Sequence, residues 1–218
     1  MVSDKPVAVL AGVSCTDIPT GVLACDVVSE MMFPVGGLWG TETYSAPQPG
    51  GGFDVYRVIA ARNGTTVTVD RGGGNLQTLN LNQGQFQELQ FKAGAHFTSN
   101  QPILVMQYMT GIQNTGIGDP FSMQLVPVTS FAQSFRFYAP PNQGWTHRAI
   151  IIAPNGAVGS VQLNGSVVSG FTALPGGAYQ YAVIAVPDGQ SVVTSPQRIT
   201  VYSIGFQNSG SYGTPTRF

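Results

Sequence analysis

The chain has 218 residues, 43% apolar and only 9% charged, with nine Lys and Arg against ten Asp and Glu for a net charge of −1. That balance excludes the basic footprint of a nucleic-acid binder and the polybasic patch that anionic lipid attracts. Gly (28) and Pro (15) are abundant while helix-forming Lys and Glu are scarce, which excludes a helical bundle or coiled coil. No apolar run reaches the roughly 18 residues of a membrane-spanning helix. The start, Met1 to Pro6, lacks the basic and apolar segments of a signal peptide, so an exported protein would be represented here by a fragment.

In chain order, the first expected strand covers 7–10. Cys15 and Cys25 follow, with Pro19 and Gly21 between them. This spacing suits a local disulfide across a turn; the other reading is two buried free thiols. The stretch 26–33 fits a short helix or a strand. Beyond it, strands are expected over 55–60, 65–69, 86–91, 103–108, 135–138, 149–153, 158–163, 179–186 and 199–206. Explicit turn signals separate them: Arg62-Asn63-Gly64, Asn155-Gly156, Asn164-Gly165, Pro175-Gly176-Gly177 and Pro187-Asp188-Gly189. The class is all-β, at the strand spacing of sandwiches.

An internal repeat sharpens this reading. Phe33-Pro34-Val35, Tyr44-Ser45-Ala46-Pro47 and Ala61-Arg62-Asn63-Gly64 recur in order as Val126-Pro127-Val128, Tyr138-Ala139-Pro140-Pro141 and Ala153-Pro154-Asn155-Gly156. A third copy of the last strand opens the chain at 7–10. The expected organisation is a tail strand and cysteine loop over 1–32, a β repeat over 33–125 and a second over 126–218. These are two tandem, duplicated β-sandwich-like repeats packed as one compact unit, cut from something longer.

Chemistry is sparse. His96 and His147 are of the type that serves acid–base work, but they lie in different repeats with no nearby Cys or paired acid in sequence. No nucleophile elbow or phosphate loop occurs, so no enzyme is expected. Asp17, Asp26 and Glu30 flank the cysteine loop and are carboxylates of the kind calcium takes, yet no ligand run joins them; no cofactor is expected, with calcium the minor alternative. Aromatic residues beside amides suit glycans or peptides. Trp39 reads as core, whereas Trp145 sits in a Pro-Pro-Asn-Gln-Gly-Trp-Thr loop with Asn142, Gln143, His147 and Arg148 around it, and Gln113 lies in another loop.

The joint pattern Lys5-Pro6-Val7-Ala8-Val9-Leu10, Cys15, Cys25-Asp26, Glu30, Pro34, Trp39-Gly40, Tyr56 to Ala61, Gly84 to Leu89 and Asp119-Pro120-Phe121 resembles one family. It is the N-terminal domain of the IgG-Fc-binding mucus protein, found also in bacterial extracellular and adhesin-like proteins. Met31 departs from the Gln that members carry there. The resemblance implies a secreted or surface-displayed module with a Cys15–Cys25 disulfide; it supplies no motif for IgG binding. In large mucus proteins, self-cleavage at a Gly-Asp-Pro-His motif uses the histidine; here Phe121 takes that place and the motif reads as a turn. The expected function is adhesion or recognition of an extracellular protein or glycan by the loops over 14–24, 110–119 and 140–147. The alternative is a self-associating building block of a surface layer, fibre or sheath.

Overall fold

A computed structural model describes residues 3–141, 144–208 and 210–216. The chain begins with a hairpin, β1 (Leu10–Thr16) against β2 (Asp26–Met31), and a one-turn helix α1 (Val35–Leu38). A seven-stranded antiparallel sheet follows: β3 (Gly40–Ser45), β4 (Asp54–Ala60), β5 (Thr65–Asp70), β6 (Leu76–Leu81), β7 (Phe86–Phe91), β8 (Ala95–Met109) and, after the short helix α2 (Ile112–Thr115), β9 (Phe121–Gln124). The second sheet has eight strands: β10 (Ala132–Ala139), β11 (Thr146–Pro154), β12 (Gln162–Leu163), β13 (Ser166–Val167), β14 (Thr172–Ala173), β15 (Tyr179–Ala185), β16 (Gly189–Gln207) and β17 (Gly210–Pro215). The protein is all-β, built from two curled antiparallel sheets packed together.

Each sheet is organised by one long strand. In the first, the N-terminal half of β8 pairs with β3 and β5, and its C-terminal half with β4 and β9. In the second, β16 pairs with β10 and β12 through its first half, and with β11 and β17 through its second. A long strand serves two sets of partners only if it curls, and the register shifts where β3 meets β8 and β10 meets β16 mark the bends.

The period of two in β11 then decides how the sheets pack. Ala149, Ile151 and Ala153 face a core inside the second sheet with Phe135, Val193 and Val201. Ile150 and Ile152 point the other way, into the larger core that they share with Tyr202, Ile204 and the side chains of the first sheet. Polar bonds fix the contact: Val126 N–H donates to the Tyr202 hydroxyl (2.9 Å), and the Thr43 hydroxyl donates to Val126 O (2.8 Å). The hairpin is clamped in the same manner, because the buried Gln124 amide accepts from Phe33 N–H (2.7 Å) and donates to Met31 O (2.7 Å).

Several expectations change. The strand begins at Leu10, not Val7: Val9 O still accepts Met32 N–H, but residues 7 and 8 pair with no strand among the described residues. Cys15 lies on β1, so the first loop is shorter than 14–24. The stretch at 26 is a strand. Of 158–163, only Gln162–Leu163 is extended, because a 3-10 turn at Asn155–Ala157 and the bend after it take up the rest. The Asn-Gly turns also differ: Gly64 is left-handed and Gly156 is not, whereas Asn164-Gly165 makes a tight hairpin with both residues at positive φ. Trp39 is half-buried on the larger core, its indole N–H donating to Phe33 O (3.0 Å).

Asp54 and Glu30 are among the carboxyls that titrate upward. Asp54 is wholly buried; desolvation pushes it up to about 6 although Lys92 and donors from Gln48 and Gln107 oppose the shift. Burial likewise pushes Glu30, on β2, up to about 7 against the neighbouring Gln124 amide. Both groups hold protons more tightly folded than unfolded, so stability should be highest below their ordinary range and fall as pH rises towards 7. Thermal midpoints between pH 4 and 7.5 should decline, and Glu30→Gln should flatten the upper part of the decline. A flat or rising profile, indifferent to that substitution, would contradict the assignment.

Candidate functional site

The loop after β8 is braced from two sides. On one side lies the loop closed by the Cys15–Cys25 disulfide. There Gly111 N–H donates to Ile18 O (3.2 Å), Gln113 N–H to Leu23 O (2.9 Å) and Leu23 N–H to Gln113 Oε1 (3.1 Å). On the other side, Gly51 N–H donates to Thr115 O (2.8 Å), and the Asn114 amide donates to Phe53 O (3.0 Å) and the Thr110 hydroxyl (2.6 Å). Gly52 has φ +66°, and a Cβ there would overlap the Asn114 amide, so this glycine run is a seat for α2 as well as a connection.

The braced loop forms one wall of an open cleft of about 420 Å³. Ile112 and Ile117 supply that wall; Gly144 and Thr146, at the start of β11, and Phe206 and Asn208, at the β16–β17 turn, supply the other. Apolar side chains, a hydroxyl and side-chain amides line it, and among the described residues no charged side chain does. A neutral ligand with an apolar face and hydrogen-bonding edges fits that chemistry. Two of the three loops picked out from sequence thus meet at the cleft, while the cysteine loop supports it from behind.

The individual residues are placed differently from expectation. His147 is buried, 3% exposed, instead of standing in a recognition loop. Its Nε2 donates to Pro140 O (3.0 Å), since a carbonyl can only accept, and in the neutral ring Nδ1 then accepts the Tyr212 hydroxyl (2.9 Å). Asp188 Oδ1 lies 3.5 Å from the same Nε2. Trp145 is half-buried, its ring 5.5 Å from Tyr212 and stacked at 6.2 Å on His147, and it is not among the cleft-lining residues. Strand alternation sends Arg148 to the opposite face from His147, with its guanidinium donating to His147 O (3.1 Å). Gln113 is exposed but engaged with Leu23, and Asn142 and Gln143 lie outside the described residues. Ile112, Thr146 and Asn208 were not singled out from sequence; isolated residues of these types carry no signal until the fold brings them together.

The calcium candidates do not converge. Asp26 and Glu30 share a face of β2 but stand roughly 13 Å apart at the rise of an extended strand. Asp26 Oδ1 accepts Val27 N–H (2.6 Å). Among the described residues, no three His, Cys, Asp or Glu side chains form a group able to hold a metal. Burial raises the Asp119 carboxyl, and the Asp26 charge adds to the rise. A second groove, about 490 Å³ and more apolar, runs between the hairpin and β10, with Met31, Phe33, Arg136 and Tyr138 among its walls.

The Trp145, His147 and Tyr212 cluster is thus internal support for the loop end. His147→Ala should cost about 2–3 kcal/mol in urea unfolding, since it removes the donor to the Pro140 carbonyl and the acceptor of the Tyr212 hydroxyl. A loss below about 0.5 kcal/mol would show that the ring is not held as described.

Among known proteins, no curated entry and no solved structure matches the chain. The family model described as IgGFc binding protein matches residues 1–205, nearly the whole chain: the hairpin, the first sheet, the loop that walls the cleft and the second sheet as far as Gly205 in β16. Among the described residues, no helix is long and apolar enough to cross a membrane. The chain belongs to the IgGFc-binding protein family, a family of binding proteins and not of enzymes.

Proposed function

We propose that this chain is an extracellular adhesion or recognition domain that binds a neutral glycan or peptide epitope in the cleft between α2 and the start of β11. One observation carries the reading: loops from separate sheets meet at an open cleft whose lining is uncharged, and a disulfide loop holds one wall in place. Pre-ordering of that wall lowers the entropy cost of binding. The disulfide and the family both support an oxidising, extracellular setting. In this reading residues 33–125 and 126–218 are two units of one plan, and residues 1–32 carry the closing hairpin of another. The family description names IgG Fc; that ligand is one candidate among extracellular proteins and glycans, because no residue here is tied to it.

The test uses three probe sets: a glycan array, a peptide array and an IgG Fc fragment, each offered to the disulfide-intact protein with and without calcium. Ile112, 36% exposed on the cleft wall, is the residue to change. Ile112→Lys should weaken the selected ligand at least about tenfold, or about 1.4 kcal/mol, with the thermal midpoint nearly unmoved. Binding that survives this substitution, or no binding to any of the probes, would contradict the cleft assignment.

A further inference from the structure

The free edge of β1 has two internal counterparts, and both are covered. Val9 O accepts Met32 N–H (2.8 Å), Val105 O accepts Leu125 N–H (2.8 Å) and Val201 O accepts Thr216 N–H (3.1 Å). The three valines are evenly spaced along the chain, and each bond ties a strand to the segment that returns beside it. Residues 7–12 therefore correspond to 103–108 in β8 and 199–204 in β16. In β8 that segment has β9 on one edge and β4 on the other, with Val55 opposite Tyr108 and Ile59 opposite Leu104. In β16 the same segment lies between β17 and β11. Among the described residues, β1 pairs with β2 alone.

Exposure differs in the same sense. Ile103 and Met106 are 3% and 5% exposed, whereas Val7 and Leu10, their counterparts, are 59% and 68% exposed. Val13 is also exposed, and its counterpart Met109 is fully buried. Backbone groups alternate between the two edges of an antiparallel strand. Since Val9 O turns towards β2, the N–H and C=O of Leu10 and Gly12 turn towards the open edge. The hairpin also packs onto the first sheet, β2 against β9, much as β9 packs against β17. An apolar strand with unused ladder bonds at the end of such a stack is a template for strand addition.

We infer that the open edge of β1 is a strand-addition site for a further unit of this fold. Its occupant is an antiparallel strand with the pattern of β4 and β11, apolar at alternate positions and opposite residues 7–12. These two strands in a second copy of this chain are already paired on both edges, so the occupant comes from a unit whose own long strand lacks its C-terminal half. Nothing in this inference depends on what the cleft binds.

A labelled peptide of residues 53–61, which spans β4, tests it, with a scrambled peptide as control. Anisotropy should show saturable binding to the intact protein, and amide exchange at Leu10 and Gly12 should slow by about tenfold or more. Leu10→Lys leaves the hairpin ladder intact and alters only an exposed side chain; it should weaken binding about tenfold. Leu10→Pro removes a donor from the open edge and should abolish protection there. Unchanged exchange with peptide in excess, equal binding of the scrambled peptide, or full binding by both variants would overturn the proposal. So would a dimer in sedimentation whose β1 edges pair with each other and exclude the peptide.

Discussion

The structure depends on two strands that are buried on both faces. β11 and the C-terminal half of β16 place alternate side chains in different cores, with Ile151 and Val201 inside the second sheet and Ile150, Ile152, Tyr202 and Ile204 against the first. A strand of an ordinary one-sided sheet alternates apolar and polar, while β11 runs Ala-Ile-Ile-Ile-Ala without a break. Burying several large apolar side chains on the second face is worth about 1.5–3 kcal/mol each, so separating the sheets would expose a patch too costly to leave in water. The positions of the loops at the β8 and β16 ends follow from that packing, and the cleft with them.

Much of the fold was legible because its signals are local. Apolar runs such as 55–60, 103–108 and 149–153 mark the central strands, and the Asn-Gly and Gly-Gly turns mark their ends. Strands missed from sequence are those whose residues say little alone. Gly40–Ser45, Leu76–Leu81 and Gly210–Pro215 are rich in Thr, Gln, Asn, Ser and Gly, and they are extended because a long strand offers them a ladder. Residues 7–9 show the converse. Their apolar pattern is that of a strand, but among the described residues Val9 alone of the three makes a bond to the returning segment, its carbonyl accepting Met32 N–H.

The candidate site was legible at the level of loops and not of residues. The loop over 110–119 meets Gly144 and Thr146 at the cleft, while Trp145 packs on His147 and Tyr212 and is not among the residues that line it. The reason is the period of two: once β11 is fixed, Trp145 and His147 must share a face, and β17 brings Tyr212 to it. Which of the two faces lines the cleft depends on where β17 lies, and β17 itself was not foreseen. Among the described residues the cleft lining carries no charged side chain, in keeping with the low charge of the whole chain.

The central claim is that the two sheets share one core and so unfold together. The two tryptophans report on it separately, Trp39 beside the larger core and Trp145 at the loop end of the second sheet. Urea unfolding of Trp39→Phe and Trp145→Phe, each followed by the fluorescence of the remaining tryptophan, is the direct measurement. The shared core predicts one transition for each variant, with matching slopes and coincidence with far-ultraviolet circular dichroism of the same sample. Fluorescence and dichroism that part, with one sheet unfolding while the other stays folded, would contradict it.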